Sequence, residues 1–342
     1  MKHMIQVQQK LVPDLIDKMY RRFSILTAIQ KYQPIGRRTL SEILNLTERV
    51  LRSETDLLKH QDLILVKPTG MTITSEGIDV MHQLKDYFTH YSDEHHLAKI
   101  IRDHYNISEV HVIPGNSDTD LNVKVELGRT TGQILEKQLY EDAIVSVTGG
   151  STMASVSNAM SELPFSVLFV PARGGLGENV VFQANTICST MAQRTGGSYT
   201  TLYVPDQVSE QTYQNLLQEP SVVNTLNRIR QSQFIVHGIG DALKMANRRQ
   251  SSSEVIEKLQ HHNAVGEAFG YYFNQNGEII HKVKTIGLQL EEVQSKEHIF
   301  AVAGGTSKGN AIKAYLEIAP KNTILVIDEA AAKIITHDLL KN

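Results

Sequence analysis

Past residue 105 the sequence repeats one unit: a short, uniformly apolar, β-rich run, a turn, and a stretch long enough for a helix. The runs occupy 110–113, 144–147, 167–170, 202–204, 234–236, 299–303 and 324–327. A strand that is apolar throughout, instead of alternating, must be covered on both faces. Strands of that kind alternating with helices build a doubly wound, mostly parallel sheet, so the expected class is α/β. With 41% of 342 residues hydrophobic, the chain has material for a second core as well.

Open sheets of this class bind ligands beyond the carboxyl ends of their strands, and four of the seven runs lead into glycine loops. In Thr148-Gly149-Gly150-Ser151-Thr152, bare backbone amides, two hydroxyls and the start of a helix can converge on one anion, which makes Gly149, Gly150, Ser151 and Thr152 candidate phosphate ligands. Ala303-Gly304-Gly305-Thr306-Ser307-Lys308 has the same form and adds a lysine, so a second cradle is expected, with Lys308 as a mobile counter-charge. Arg173-Gly174-Gly175-Leu176-Gly177 sets an arginine fork beside glycines. Gln183, one short segment on, carries an amide suited to hydroxyls; Arg173, Gly175 and Gln183 therefore join the expected pocket. His237-Gly238-Ile239-Gly240 lacks the third glycine of a dinucleotide fingerprint, because Leu243 stands there, so no nicotinamide cofactor is expected.

The first 77 residues read differently. They hold 12 Lys+Arg against 8 Asp+Glu, a balance of +4 that the rest of the chain offsets with −7 to reach the overall −3. Helical spacing of Phe23, Ile25, Leu26 and Ile29 predicts a helix over 19–31, ended by Pro34-Ile35-Gly36. Thr39-Leu40-Ser41-Glu42 has capping-box spacing and predicts a short helix that starts at Thr39 and runs to about Leu44. Thr47 then caps a third helix in which Val50, Leu51, Leu57 and Leu58 share one face. Alternating residues on either side of Lys67-Pro68-Thr69-Gly70 complete a hairpin. Three helices and a hairpin make a winged helix-turn-helix, in which the third helix enters a major groove. Thr47, Arg49, Arg52 and Ser53 are the candidate base readers, and Arg37, Arg38 and Lys67 the candidate phosphate contacts on double-stranded DNA. A winged helix that docks on protein is the competing reading.

Between the two lies a polar stretch, 78–105, in which Ile78, Met81, Leu84, Phe88 and Tyr91 recur at helical steps. It reads as a linking helix that supports a dimer or tetramer, as a reader of palindromic DNA requires. The expected domains are thus 1–77, 78–105 and 106–342. Asp93-Glu94-His95-His96 reads as a solvated helix and not as a metal site, because adjacent histidines face different sides. The single Cys188 reads as buried packing, and with no leader or membrane-length apolar run the chain is expected to be cytoplasmic. Glu267 is either a general base or an acceptor for ligand hydroxyls, with Arg248 and Arg249 adding positive charge nearby. Ser151 lies in no nucleophile elbow, so no catalytic residue is expected.

Pro34-Ile35-Gly36-Arg37-Arg38, Glu48-Arg49-Val50-Leu51-Arg52, Val147-Thr148-Gly149-Gly150, the run from Phe169 to Gly177, Ala184-Asn185-Thr186-Ile187-Cys188 and Glu267-Ala268-Phe269-Gly270-Tyr271-Tyr272 occur together in this chain. On these residues it resembles the SorC-like, sorbitol-operon-type transcriptional regulators over nearly its whole length, and among them those that govern glycolytic genes. The resemblance implies a sugar-phosphate isomerase-like effector domain and a repressor whose inducer is fructose 1,6-bisphosphate. It implies that Gly150, Ser151 and Thr152 hold one phosphate with Lys308, while Arg173, Gln183, Arg248 and Glu267 meet the rest of the sugar bisphosphate. Ser151 departs from the threonine of the family pattern but keeps the hydroxyl the cradle needs. Two other readings fit the same architecture: a sugar-phosphate isomerase with an accessory head, in which Glu267 or Asp241 moves a proton, and an activator that answers to a polyol.

Overall fold

A computed structural model describes residues 11–44, 46–88, 93–175, 179–205, 208–337 and 339. It divides into two compact units, one reaching His96 and including the residues from Thr336 onward, the other Leu97–Ile335.

The first unit opens with helix Pro13–Tyr32, whose proline sits in the first turn, where a missing N–H costs nothing. Helices Arg37–Leu44 and Glu48–His60 follow, then strands β1 (Ile64–Lys67) and β2 (Gly70–Ile73), paired antiparallel. Thr39 was expected to cap the second helix, but the helix starts two residues earlier because Leu40 N–H already reaches the Gly36 carbonyl at 3.0 Å; Thr39 and Glu42 lie inside it. Thr47 does cap the third helix, accepting from Val50 N–H at 3.3 Å. Ile25, Leu26, Ile29, Leu40, Leu51, Leu58, Ile64 and Met71 form the unit's own core. Ile35 exchanges two backbone hydrogen bonds with Met71, 2.8 and 3.1 Å, so the segment after the first helix clasps the wing. Helix Ser75–Phe88 packs on Pro13–Tyr32. Phe88 lies edge-on to Tyr20 and tilted against Phe23, and Met81 is buried, so this part of the expected linking stripe packs within the unit. Tyr91 lies outside the described residues. The next helix is Asp93–Tyr105, and Glu94, expected on a solvated face, is buried.

The second unit is built on seven strands: β3 (Glu109–Ile113), β4 (Ile144–Val147), β5 (Leu168–Pro171), β6 (Ser198–Tyr199), β7 (Phe234–Gly238), and, after a second sheet, β12 (His298–Val302) and β13 (Thr323–Asp328). Their order is β3-β13-β12-β7-β4-β5-β6 and every neighbouring pair is parallel. Successive residues face opposite sides. Phe234, Val236, Phe300, Val302, Ile324 and Val326 fill one core, and Ile235, Ile299, Ala301, Leu325 and Ile327 the other. Six of the seven apolar runs are strands. The run at 202–204 is not: Leu202 directs its backbone N–H and carbonyl to the Asn185 amide, 2.9 and 3.2 Å, in place of a neighbouring strand.

The second sheet is antiparallel, in the order β11-β10-β9-β8, with β8 (Gly240–Asp241), β9 (Ala264–Ala268), β10 (Tyr271–Asn274) and β11 (Ile279–Lys282). Its central hairpin turns through Phe269 and Gly270, at φ 56° and 85°, two consecutive positive values of the kind a two-residue primed turn demands. One residue, Ile239, joins β7 to β8, so the small sheet begins where a parallel strand ends.

At the end of β13 the Asp328 carboxylate, fully buried, accepts the N–H groups of Ser117, Gly305 and Ala331 at 2.8, 2.6 and 2.9 Å. It thereby ties together the loops that follow β3 and β12 and the helix Glu329–Thr336. Replacing Asp328 by alanine is expected to cost about 3–5 kcal/mol, since three buried donors lose a charged acceptor. Urea unfolding of the variant checks this; a loss under about 1 kcal/mol would mean that the loops do not depend on it.

Candidate anion-binding site

The carboxyl ends of β4, β5, β7 and β12 surround a cavity of about 290 Å³. Helix Ser151–Ala159 points its first turn at it, with Gly150 at the N-cap and no side chain capping it. The two glycines differ in purpose. A Cβ at Gly149 would stand 2.7 Å from the Phe182 carbonyl, so that residue is a close approach. Gly150 adopts φ 132° and faces open space, while its N–H donates to the same carbonyl at 2.8 Å. The open donors are therefore the next ones, the N–H groups of Ser151, Thr152 and Met153 in the first helical turn, all in the cavity wall. Three such amides with the positive end of a helix dipole form an anion seat. Thr148 completes the loop by accepting Gly238 N–H at 3.3 Å, which fixes the end of β4 to the end of β7.

The second glycine loop was expected to be another cradle and is not. Gly305 N–H donates to Asp328, and Ser307 donates to Asp118 through both N–H (2.8 Å) and hydroxyl (3.0 Å). A Cβ at Gly304 or Gly305 would collide with the same two carboxylates, at 2.7 and 2.3 Å. The protein's own aspartates occupy the place of a phosphate. Only Lys308, at the end of that loop, lines the cavity. Burial above all, and then the Lys124 ammonium, push its pKa down; Asp118 pulls the other way, and Lys244 and Asp328 add smaller opposing contributions.

Gly149, Gly150, Ser151, Thr152, Arg173, Gln183, Arg248, Glu267 and Lys308 all meet in this one cavity. Gly175 stands just behind Gln183, its Cβ position 3.6 Å from the amide oxygen. Leu176 and Gly177 lie outside the described residues. Gln183 precedes helix Ala184–Thr195 and so is carried to the rim by a fixed helix start. Glu267, on β9, is 4% exposed; its Oε1 accepts from Arg249 at 2.9 Å, from Gly270 N–H at 2.6 Å and from Arg173 at 3.5 Å. Arg249 also donates to the Tyr272 hydroxyl at 2.8 Å. The two neighbouring arginines thus part company: Arg249 is buried in this network, while Arg248 is exposed at the rim. Sequence reasoning passed over Lys244, Met245 and Phe269, which also line the cavity. Helical spacing from Arg248 back to Lys244 was the signal available.

Beneath the cavity, His237 is fully buried against the ring of Phe269, with Nε2 3.0 Å from the Tyr315 hydroxyl. Burial lowers its pKa to about 4, opposed by the Gly238 carbonyl. Cys188 is buried too, which pushes its thiol pKa up and suits packing better than chemistry.

On the first unit, Thr47, Arg49, Arg52 and Ser53 are exposed at the start of helix Glu48–His60, whose Leu51, Thr55 and Leu58 turn inward. Lys67 is exposed on the wing, and Arg38 is exposed with Glu42 at 3.5 Å. Arg37 is held by Asp56 at 2.6 Å. Glu54, on the inward face, is buried between Arg22 at 2.8 Å and Arg21 at 3.5 Å, an anchor for the helix that carries the readers.

Comparison with known proteins adds to this geometry. Residues 89–337 match the sugar-binding domain family, and residues 18–88 match the CggR N-terminal DNA binding domain family. The chain is 46% identical over 341 residues to the central glycolytic genes regulator of Priestia megaterium, with 99% of each chain covered. It is 45% identical over 342 residues to that of Bacillus subtilis, covering 99% of this chain and 100% of the relative. Among solved structures, a SorC family transcriptional regulator from Enterococcus faecalis superposes with a TM-score of 0.67 at 43% identity, over 70% of this chain and 99% of that one. No described helix is long and apolar enough to cross a membrane.

In the unfolded chain the His237 imidazole titrates near 6.5, and in the fold it stays neutral down to about pH 4. Between those values the unfolded state binds the extra proton, so stability falls as the pH is lowered from 6.5 toward 4. His237→Phe is expected to remove on the order of 2 kcal/mol of this acid sensitivity. Parallel urea titrations at pH 7 and 4.5 measure it; an equal loss of unfolding free energy between the two pH values in both proteins would refute the assignment.

Proposed function

The chain belongs to the SorC-type sugar-binding transcriptional regulators, in the branch of the central glycolytic genes regulators, and from that premise we propose that it represses glycolytic genes by binding operator DNA and releases it when fructose 1,6-bisphosphate fills the cavity of the second unit. The observation that carries the reading is the open cradle: the unpartnered amides of Ser151, Thr152 and Met153 beside Lys308 form a seat for a phosphate. Arg173, Gln183, Arg248 and Glu267 surround the space where the rest of a sugar would lie. Glu267, with one oxygen held by three donors, is fixed as an acceptor for hydroxyls, which suits recognition and not proton shuttling. No cofactor takes part.

On the DNA side, Arg49 and Arg52 read base edges from helix Glu48–His60, with Thr47 and Ser53 beside them, and Arg37, Arg38 and Lys67 meet phosphates. A palindromic operator calls for two such heads, so the working form is a homodimer or tetramer. Coupling needs only that the sugar bind more tightly to the arrangement that holds DNA less well; about 1–3 kcal/mol of difference is typical.

Fluorescence anisotropy on a glycolytic operator fragment at fixed salt is expected to show release on titration with fructose 1,6-bisphosphate, with no turnover of ribose 5-phosphate. Operator binding that ignores the sugar would remove this inducer, and turnover would make the chain an isomerase. Arg52→Ala is expected to weaken operator binding by about 1–3 kcal/mol and to relax selectivity at one base position; an equal loss on every sequence would make Arg52 a phosphate contact.

A further inference from the structure

Lys308 reaches the cavity from the turn Thr306–Lys308, on a flexible four-carbon stem. Such a stem sets its ammonium against a phosphate only if the backbone beneath it is fixed. That backbone also works against repulsion. Lys124, on helix Leu121–Gln138, and Lys244, on helix Ala242–Arg248, act on Lys308 as like charges, with Asp118 and Asp328 as the opposing ones.

The turn is fastened from one side, by the loop that follows β3. Asp118 accepts Ser307 N–H on Oδ2 at 2.8 Å and the Ser307 hydroxyl on Oδ1 at 3.0 Å. Asn116 accepts Thr306 N–H at 3.4 Å and donates to the Thr306 hydroxyl at 3.1 Å. Its amide oxygen also receives Asp118 N–H at 3.0 Å, so the two side chains form one clamp. The clamp has a foundation of its own. Ser117 N–H donates to the buried Asp328 at 2.8 Å, and Gly115 N–H to Glu329 at 3.1 Å. Gly305, at φ 97°, leaves the room the Asp118 carboxylate needs, since a Cβ there would stand 2.3 Å from Oδ1.

Asp118 does not line the cavity. A carboxylate close to an anion seat repels the ligand, so its contacts must return more than that repulsion costs. We propose that Asp118 is a positioning residue of the effector site: by fastening Ser307 it holds the turn that presents Lys308 to the phosphate on the cradle. The proposal rests on the sugar-phosphate reading above and extends it to a residue outside the cavity wall, about 190 positions before the lysine it serves.

Isothermal titration of the full-length chain with fructose 1,6-bisphosphate tests it. Asp118→Ala is expected to weaken the sugar about tenfold, although a negative charge has been removed. Ser307→Ala, a milder change that deletes only the hydroxyl contact, is expected to cost about threefold. Asp118→Asn can keep both contacts, with the Ser307 hydroxyl turned from donor to acceptor, and is expected within about threefold of the native chain. In a Lys308→Ala chain, which retains the cradle amides and the arginines, Asp118→Ala is expected to add less than about twofold, because the lysine it positions is gone. Tighter binding in Asp118→Ala makes the residue a repelling charge and overturns the proposal. So does Asp118→Asn losing as much as Asp118→Ala, or the same tenfold loss without Lys308, and each of these leaves the sugar-phosphate reading standing. No binding of the sugar by the native chain overturns that reading and the proposal with it.

Discussion

Backbone amides at the carboxyl ends of parallel strands are strong donors that no neighbouring strand can satisfy, and the body of this protein is organised by where those donors find acceptors. Two loops begin alike, with two glycines and then hydroxyl residues. After β12 the protein supplies its own acceptors: Asp328 and Asp118 sit on the amides of Gly305 and Ser307. After β4 it supplies only the Phe182 carbonyl for Gly150 and leaves the next three amides open. One loop is thereby closed on itself and the other keeps its donors open. The difference lies in acceptors brought from other parts of the chain, since Asp118 precedes its partner loop by about 190 residues.

The same logic of acceptors and donors governs the charges. Burying Glu267 and Arg249 is tolerable only because each finds the other, with Gly270 N–H and the Tyr272 hydroxyl taking remaining valences. That network is contributed by the small antiparallel sheet, whose first strand is the continuation of β7 across Ile239. A wall made by one sheet and an anion seat made by the other are held in register by a single residue of chain.

Much of this was legible in the sequence, because six of the seven buried strands announced themselves as unbroken apolar runs and the cradle, Arg173, Gln183, Glu267 and Lys308 follow strand ends or a hairpin that the chain's glycines mark. The run at 202–204 misled because apolarity reports burial and not pairing; its partner is the Asn185 side chain. The small sheet went unread although Phe269-Gly270 carried a hairpin signal, because glycines at 266 and 270 interrupt the strand pattern on either side. The second cradle was misjudged for a deeper reason. A local motif shows which donors are available, while the acceptors that close them lie far away in sequence. Thr39 shows the same limit at short range, displaced from its expected cap by a hydrogen bond that begins at Gly36.

The closing of one glycine loop by internal carboxylates also sets a stoichiometry. Among the described residues a single chain presents one open glycine cradle. Taken by itself, such a chain titrates along a simple hyperbola. Any steeper, switch-like response to a ligand of that cradle would have to come from communication between copies and not from within one of them.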